Sequence, residues 1–261
     1  MMQTPVYDLT LIQAGNLGLV PGPEIFWMSH FGEWFPLHIN VFLVEGEHHV
    51  ILVNTGPPVA PWAGRDGVYS HMRRLDPDPI VAALTARGLA PTDVDTVILT
   101  PLQAYAVGGL AAFSEATVCI ARKGWTDLMA PLHFDERRYM AIPDPILNHL
   151  VFDVWPQQRL HLLDDEAEIF PGIRTWWAGA HHRSSLAIEV DTPQGTAVIT
   201  DTVFYRENIE RMHLLGIAEN LEECRRTYDR IRARSDIVLS PYDPRTRARY
   251  PYREENATIE E

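Results

Sequence analysis

Residues 97–110 read VILTPLQAYAVGGL, a β-branched apolar run that stops at Pro101 and passes into a loop closed by Gly108-Gly109. Together with Asp95 and Thr96, the run predicts a buried strand over 95–100. The paired glycines predict backbone positions where a Cβ would obstruct a tight turn or a close approach. A further strand, 116–121, follows the loop. Upstream, residues 37–45 (LHINVFLVE) and 49–54 (HVILVN) predict a hairpin around a charged turn at Gly46, and NTGPP at 54–58 breaks the second strand sharply. Residues 79–87 (PIVAALTAR), with Pro79 at the start and Gly88 at the stop, predict a short amphipathic helix.

Downstream, residues 127–157 are rich in Pro, Asp and aromatic residues with mixed periodicity, and predict a partly helical insertion that covers a pocket. Strands are expected at Ile173–Trp177, 186–191 and 196–200, the last two joined by Pro193-Gln194-Gly195. Asp201 closes that hairpin. Residues 222–234 predict a charged helix, and 236–240 a last strand running into Pro241-Tyr242-Asp243-Pro244. There is neither an internal repeat nor a low-complexity linker, which predicts a single domain over 1–261 with an acidic tail, EENATIEE, at 254–261. Hairpins separated by helices predict an α/β chain with sheets covered by helices.

At 261 residues, with 46% hydrophobic and 22% charged, the chain has the composition of a soluble globular protein large enough to need no covalent staples. Cys119 and Cys224 form no CxxC pair, which excludes a cysteine zinc ribbon or finger. No apolar run reaches the length of a membrane span, and MMQTPVYDLT has neither a basic nor an apolar signal region, so a reduced, cytoplasmic protein is expected. The balance of 22 basic against 35 acidic residues gives −13, a field that repels phosphate backbones and anionic lipid. The expected partner is therefore a small-molecule substrate, with no nucleic acid and no membrane.

Three ordered stretches resemble the metallo-β-lactamase fold superfamily, in particular its branch containing acyl-homoserine lactonases. ILVNTGPP (51–58) is similar to that family's strand and loop ending in Asp-Thr-Gly. VILTPLQAYAVGGL is similar to the frame of its metal motif, Thr-His-x-His-x-Asp-His-x-Gly-Gly. GAHHRSSLAIEVDTPQGTAVITDTVFYREN (179–208) is similar to its Gly-His loop, hairpin and following Asp. The resemblance implies a four-layer αββα sandwich with the site at the edge where these loops converge.

The family's ligands are mostly absent. In the motif frame their slots hold Pro101, Gln103, Tyr105 and Ala106, and the later His and bridging Asp slots hold His181 and Asp201. The last His slot, in a Pro-Tyr-Asp context, holds Tyr242. Catalytic zinc sites use at least three protein donors, which this set lacks. The expectation is that the dinuclear zinc site is lost and that no cofactor is used. Asn54 and Tyr105 also stand where the family carries carboxylates, so the cleft has lost negative charge together with its histidines.

From these residues a metal-independent hydrolase of a small cyclic ester or amide is expected. His181 would be the general base, Asp201 its orienting carboxylate, and Tyr105, Gln103 and Tyr242 donors to a developing oxyanion. His182, Arg183, Asn54, Trp34 and His38 are the expected substrate contacts. Arg183 would bind a substrate carboxylate or pair with Asp201. His38 and Asn40 share a strand face directed either at the cleft or at the second sheet. Ser184 and Ser185 lie in no G-x-S-x-G elbow and read as backbone caps. Two alternatives stay open: a non-catalytic small-molecule-binding protein on the same fold, and a hydrolase with one weakly held metal on His181, His182 and Asp201. The aromatic segment Trp27, Phe31, Trp34, Phe35 is expected to shape a pocket or a homodimer interface.

Overall fold

Alternation with period two gives each central strand two apolar faces, and these build two separate cores. The computed structural model describes residues 5–62, 67, 69–131 and 142–249. Its first sheet contains β1 (Asp8–Pro21), β2 (Trp34–Gly46), β3 (His49–Val53), β4 (Arg73–Arg74), β5 (Thr96–Ile98), β6 (Thr117–Ala121) and β7 (Leu160–Leu163), in the order β4-β1-β2-β3-β5-β6-β7. The second contains β8 (Glu166–Phe170), β9 (Ile173–Trp177), β10 (Leu186–Thr192), β11 (Gly195–Thr200) and β12 (Ile237–Leu239), in the order β12-β11-β10-β9-β8.

Between the sheets, Phe42, Val44, Ile51, Val53, Ile98 and Cys119 of the first meet Ile173, Ile188, Val190, Ile199 and Leu239 of the second. The opposite faces are covered by helices. Leu43, Leu52 and Val97 share a core with Ile80 and Leu84 of α1 (Pro79–Thr85). Ala187 and Val198 do so with Cys224, Tyr228 and Ile231 of α2 (Leu221–Arg234). The layers are therefore helix, sheet, sheet, helix, the expected αββα sandwich.

Local chemistry sets the element ends. Asp78 caps α1 by accepting from the backbone N–H groups of Ile80 and Val81, and Asn220 caps α2 at Glu222 and Glu223. The β2–β3 hairpin turns through Glu47 and His48, both at positive φ, the pattern of a tight primed turn. The hairpins at 37–54 and 186–200 and the helix at 222–234 lie where the sequence pattern puts them. The fourteen-residue β1 has no clean alternation because its pairing with β2 shifts register at Gln13/Gly15 and again at Asn16/Gly18.

Within 127–157, a short helix (Asp144–His149) runs into a π-helical turn (Leu150–Val154). Residues 132–141 of that expected insertion, and the tail 254–261, lie outside the described residues. No helix among the described residues is long and apolar enough to cross a membrane.

Candidate functional site

Loops from both sheets converge at one edge of the sandwich. The loop after β5 is stapled to the loop after β3. Asn54, at φ 68°, accepts from the Thr100 N–H at 2.8 Å and donates from Nδ2 to the Thr100 carbonyl at 2.8 Å. Thr55 N–H donates to Ala106 at 2.7 Å, and a Cβ on Gly108 would sit 2.1 Å from the Pro58 nitrogen. The two glycines thus permit the close approach expected of them. Asn54, expected as a substrate contact, has both polar atoms engaged by the Thr100 backbone and is a positioning group instead.

Asp201 follows β11 and is completely buried. Its carboxyl accepts from the Thr100 hydroxyl on one oxygen and from the Ser185 hydroxyl on the other, joining the ends of β5 and β10. Burial pushes its carboxyl up to about 7, against the pull of those two hydroxyl donors. Ser185 also accepts from the His182 N–H at 3.0 Å, and Ser184 from the Leu102 N–H at 2.9 Å, so both serines hold backbone.

His181 does not bond to Asp201. Its Nδ1 donates to the Ile217 carbonyl at 3.1 Å, which places the proton on Nδ1. Nε2 is left buried without a hydrogen-bond partner. Burial, reinforced by neighbouring His182, holds the imidazole well below its ordinary value and therefore neutral. The expected orienting role of Asp201 is corrected accordingly: the backbone of Ile217 orients His181, because the Asp201 carboxyl is directed at two hydroxyls between the sheets.

Arg183 pairs with Glu219 at 3.0 Å and with Glu223, over the Trp177 ring. It is neither paired with Asp201 nor free for a substrate carboxylate. The His182 ring lies tilted by 42° against His181, centroids 3.9 Å apart, and approaches Glu219 at 3.4 Å, and burial beside Arg183 lowers it to about 3.

Aromatic rings cluster at the same edge. Tyr105 and Tyr242 meet edge to face at 5.8 Å, and Tyr69 stands edge-on to Tyr105 at 5.9 Å while donating its hydroxyl to Gln103 Oε1 at 3.0 Å. Phe204 lies between Tyr242 at 4.6 Å and His181 at 5.0 Å. Burial raises the Tyr105 and Tyr242 phenols well above their ordinary range, and the Tyr242 hydroxyl makes no hydrogen bond of normal geometry. Tyr242 is placed by β2, whose His38 N–H donates to the Tyr242 carbonyl at 3.0 Å and whose Asn40 N–H donates to that of Pro241 at 2.8 Å.

His38 and Asn40 share the strand face of Phe42 and Val44, so they are directed at the second sheet. Trp34 stands at the start of β2 in solvent and takes no part in the site. The sequence did not single out Tyr69, Phe204, Thr100 or Ile217. The first three have ordinary neighbours in the sequence, and the fourth acts through a carbonyl that every residue carries.

These donors do not fit a dinuclear metal centre. Asp201 has both oxygens occupied by hydroxyls, Gln103 holds Tyr69, the two phenols stay protonated, and Pro101 and Ala106 offer no side-chain donor. Among the described residues no group of three or more His, Cys, Asp or Glu side chains is arranged to hold a metal. A cavity of about 10 Å³ beside Gln103, His182 and Ser184 is room for a single water.

A family model described as "Metallo-beta-lactamase superfamily" matches residues 34–241. The N-acyl homoserine lactonase AiiA of Bacillus thuringiensis subsp. kurstaki is 26% identical over 189 residues, 69% of either chain. A Bacillus cereus N-acyl homoserine lactonase is 23% identical over 188 residues, again 69% of each. Among solved structures, an N-acyl homoserine lactone hydrolase with N-hexanoyl-L-homoserine bound at its catalytic metal centre matches with TM-score 0.76 at 19% identity, over 97% of this chain and 99% of that one. The dizinc quorum-quenching lactonase AidC matches with TM-score 0.65 at 12% identity, over 93% and 90%. At these identities the structural matches establish the fold.

Proposed function

Because this chain belongs to the metallo-beta-lactamase superfamily and resembles its N-acyl homoserine lactonases, we propose that it hydrolyses a small cyclic ester or amide without the dinuclear metal centre, with His181 as general base. The observation that carries this reading is the buried, unpartnered Nε2 of an imidazole whose Nδ1 is fixed by Ile217. A neutral ring in that tautomer accepts a proton from water. The water oxygen adds to the substrate carbonyl, the ring C–O or C–N bond breaks, and the proton on Nε2 passes to the leaving group.

Tyr242, whose hydroxyl has no settled partner, and the adjacent Tyr105 are the donors to the developing oxyanion. Gln103 lines the same edge. Asp201 supports the site from beneath by tying Thr100 to Ser185. With His182 held neutral and Arg183 engaged by glutamates, the site carries little charge, which suits a neutral substrate. The cytoplasm is the compartment proposed for this activity, in keeping with the free, buried Cys119 and Cys224.

The test is turnover of a panel of lactones and cyclic amides with and without a chelator. Activity indifferent to chelator is expected, and His181→Ala should lower kcat about 100-fold or more while the circular dichroism stays unchanged. An unchanged kcat removes His181 from the mechanism, and activity abolished by chelator and restored by zinc removes the metal-free reading. A second reading, a non-catalytic small-molecule-binding protein on the same fold, rests on the resemblance's ligand slots being held by Pro101, Gln103, Tyr105 and Ala106. Ligand-induced thermal stabilisation without consumption of any panel member selects it.

A further inference from the structure

His181 takes its tautomer from a backbone carbonyl, and the loop that carries this carbonyl is held on two sides. On one side Glu219 and Asn220 donate their N–H groups to the Ala180 carbonyl at 2.7 and 3.3 Å, which closes residues 217–220 onto the residue before His181. On the other, the Ile217 N–H donates to the Glu24 carbonyl at 2.9 Å, and the Trp27 N–H to that of Leu214 at 2.9 Å. Asn208 Nδ2 donates to the carbonyls of both Ile25 and His213 at 2.9 Å, and His213 Nε2 to that of Trp27 at 3.1 Å. Gly216 stands where these two segments meet. A Cβ there would lie 1.6 Å from the Pro23 oxygen and 2.6 Å from its carbonyl carbon.

We propose that Gly216 is the positioning residue that fixes His181 in its Nδ1–H tautomer, by letting the loop lie against Pro23 at the depth from which the Ile217 carbonyl meets Nδ1. The backbone at Gly216 is not left-handed, so the contact alone excludes a side chain there. Carbon and oxygen in ordinary contact stand about 3.3 Å apart, so alanine would push the two backbones apart by more than about 1 Å. Pro23 is poorly placed to yield. The helical turn that holds it, Gly22–Ile25, is anchored by the Gly22 N–H on the Glu33 carbonyl at 2.8 Å and by the buried Ile25. The displacement therefore falls on Ile217, the next residue. Its bond to His181 is 3.1 Å, at the long end for an N–H···O contact, and does not survive a shift of that size. A neutral imidazole carries one proton. With the bond lost that proton also occupies Nε2, which closes the nitrogen that must accept. In its bearing on turnover Gly216 thus rests on His181 being the general base, and in its bearing on the tautomer it does not.

Heteronuclear correlation spectra of the full chain with labelled histidine read which His181 nitrogen carries the proton, the signals being assigned by their loss in His181→Ala. Turnover of the lactone and cyclic-amide panel is measured beside them. The unaltered chain is expected in the Nδ1–H form. Gly216→Ala, with unchanged circular dichroism, is expected to populate the Nε2–H form and to lower kcat about tenfold or more at unchanged KM. If that variant does not fold, His213→Ala takes its place. It removes the half-buried tie to Trp27 and should shift the same signals to a lesser degree, while His213→Gln, which keeps an N–H for that carbonyl, should restore them. An Nδ1–H form in every folded variant overturns the proposal, since a merely structural glycine would lower the melting temperature and leave the tautomer alone. An Nε2–H form in the unaltered chain overturns it as well. A shifted tautomer with kcat unchanged, or with no turnover even by the unaltered chain, keeps Gly216 as the positioning residue and removes His181 as general base.

Discussion

His181, His182 and Asp201 titrate in opposite senses, and the signs set how stability depends on pH. Burial keeps both imidazoles neutral below their ordinary 6.5, down to about 3 for His182. The stability they contribute is full above 6.5 and is lost as pH falls, because the unfolded chain takes protons that the folded chain refuses. Asp201 moves the other way, from 3.8 to about 7, so its contribution is full below 3.8 and is lost as pH rises toward 7. Between about pH 4 and 6.5 each group contributes a slope of about 1.4 kcal/mol per pH unit. The histidine pair outweighs the single carboxyl, and acid destabilises the fold. Asp201→Asn removes the opposing slope, keeps an acceptor for one of the Thr100 and Ser185 hydroxyls and presents an amide N–H to the other. Its urea-unfolding free energy at several pH values between 4.5 and 6.5 should fall more steeply than that of the unaltered protein, by about 1.4 kcal/mol per unit. Parallel slopes would show that Asp201 ionises as an ordinary carboxylate. His182→Gln should flatten the same plot.

At the scale of elements, the site rests on two loops rather than on a ligand set, and Asn54 is the joint between them. Asn54→Ala leaves both the N–H and the carbonyl of Thr100 buried and unpaired. Its expected cost is about 2–4 kcal/mol in chemical denaturation. Asn54→Gly relieves the positive φ but loses the same two bonds, so it should be milder than alanine by about 1 kcal/mol and still clearly destabilised. If glycine restored full stability, backbone conformation rather than the hydrogen bonds would be the residue's role. The loop frame was legible in the sequence because Gly108-Gly109 and the broken strand at NTGPP are backbone signals. β2, β3, β10, β11 and α2 were legible because their apolar periodicity is undisturbed. β1 was not, since two register shifts around Gly15 and Gly18 destroy the alternation that marks a strand. The partners of Asp201 were hidden for another reason: a sequence shows that a hydroxyl and a carboxyl exist, and only packing shows that Thr100 and Ser185 claim the carboxyl before His181 can.

For the whole molecule, the side chains at the convergent loops pack as one group. Two divalent ions and their anionic ligands form a balanced set, and removing the ions alone would strand buried carboxylates at high cost. At this edge Tyr105, Tyr242 and Gln103 pack against Tyr69 and Phe204. Asp201 sits there between two hydroxyl donors, with burial raising its carboxyl to about 7. Metal content per chain, measured on protein purified without chelator, tests this account directly. Well below one equivalent of zinc, manganese or iron is expected, since His181 and an already bonded Asp201 are short of the three donors that tight binding needs. Added zinc should raise the melting temperature of the unaltered protein no more than that of His181→Ala. One or two tightly held equivalents, lost in His181→Ala, would mean that Asp201 gives up its hydroxyls to a metal, and the metal-free mechanism would fall with it.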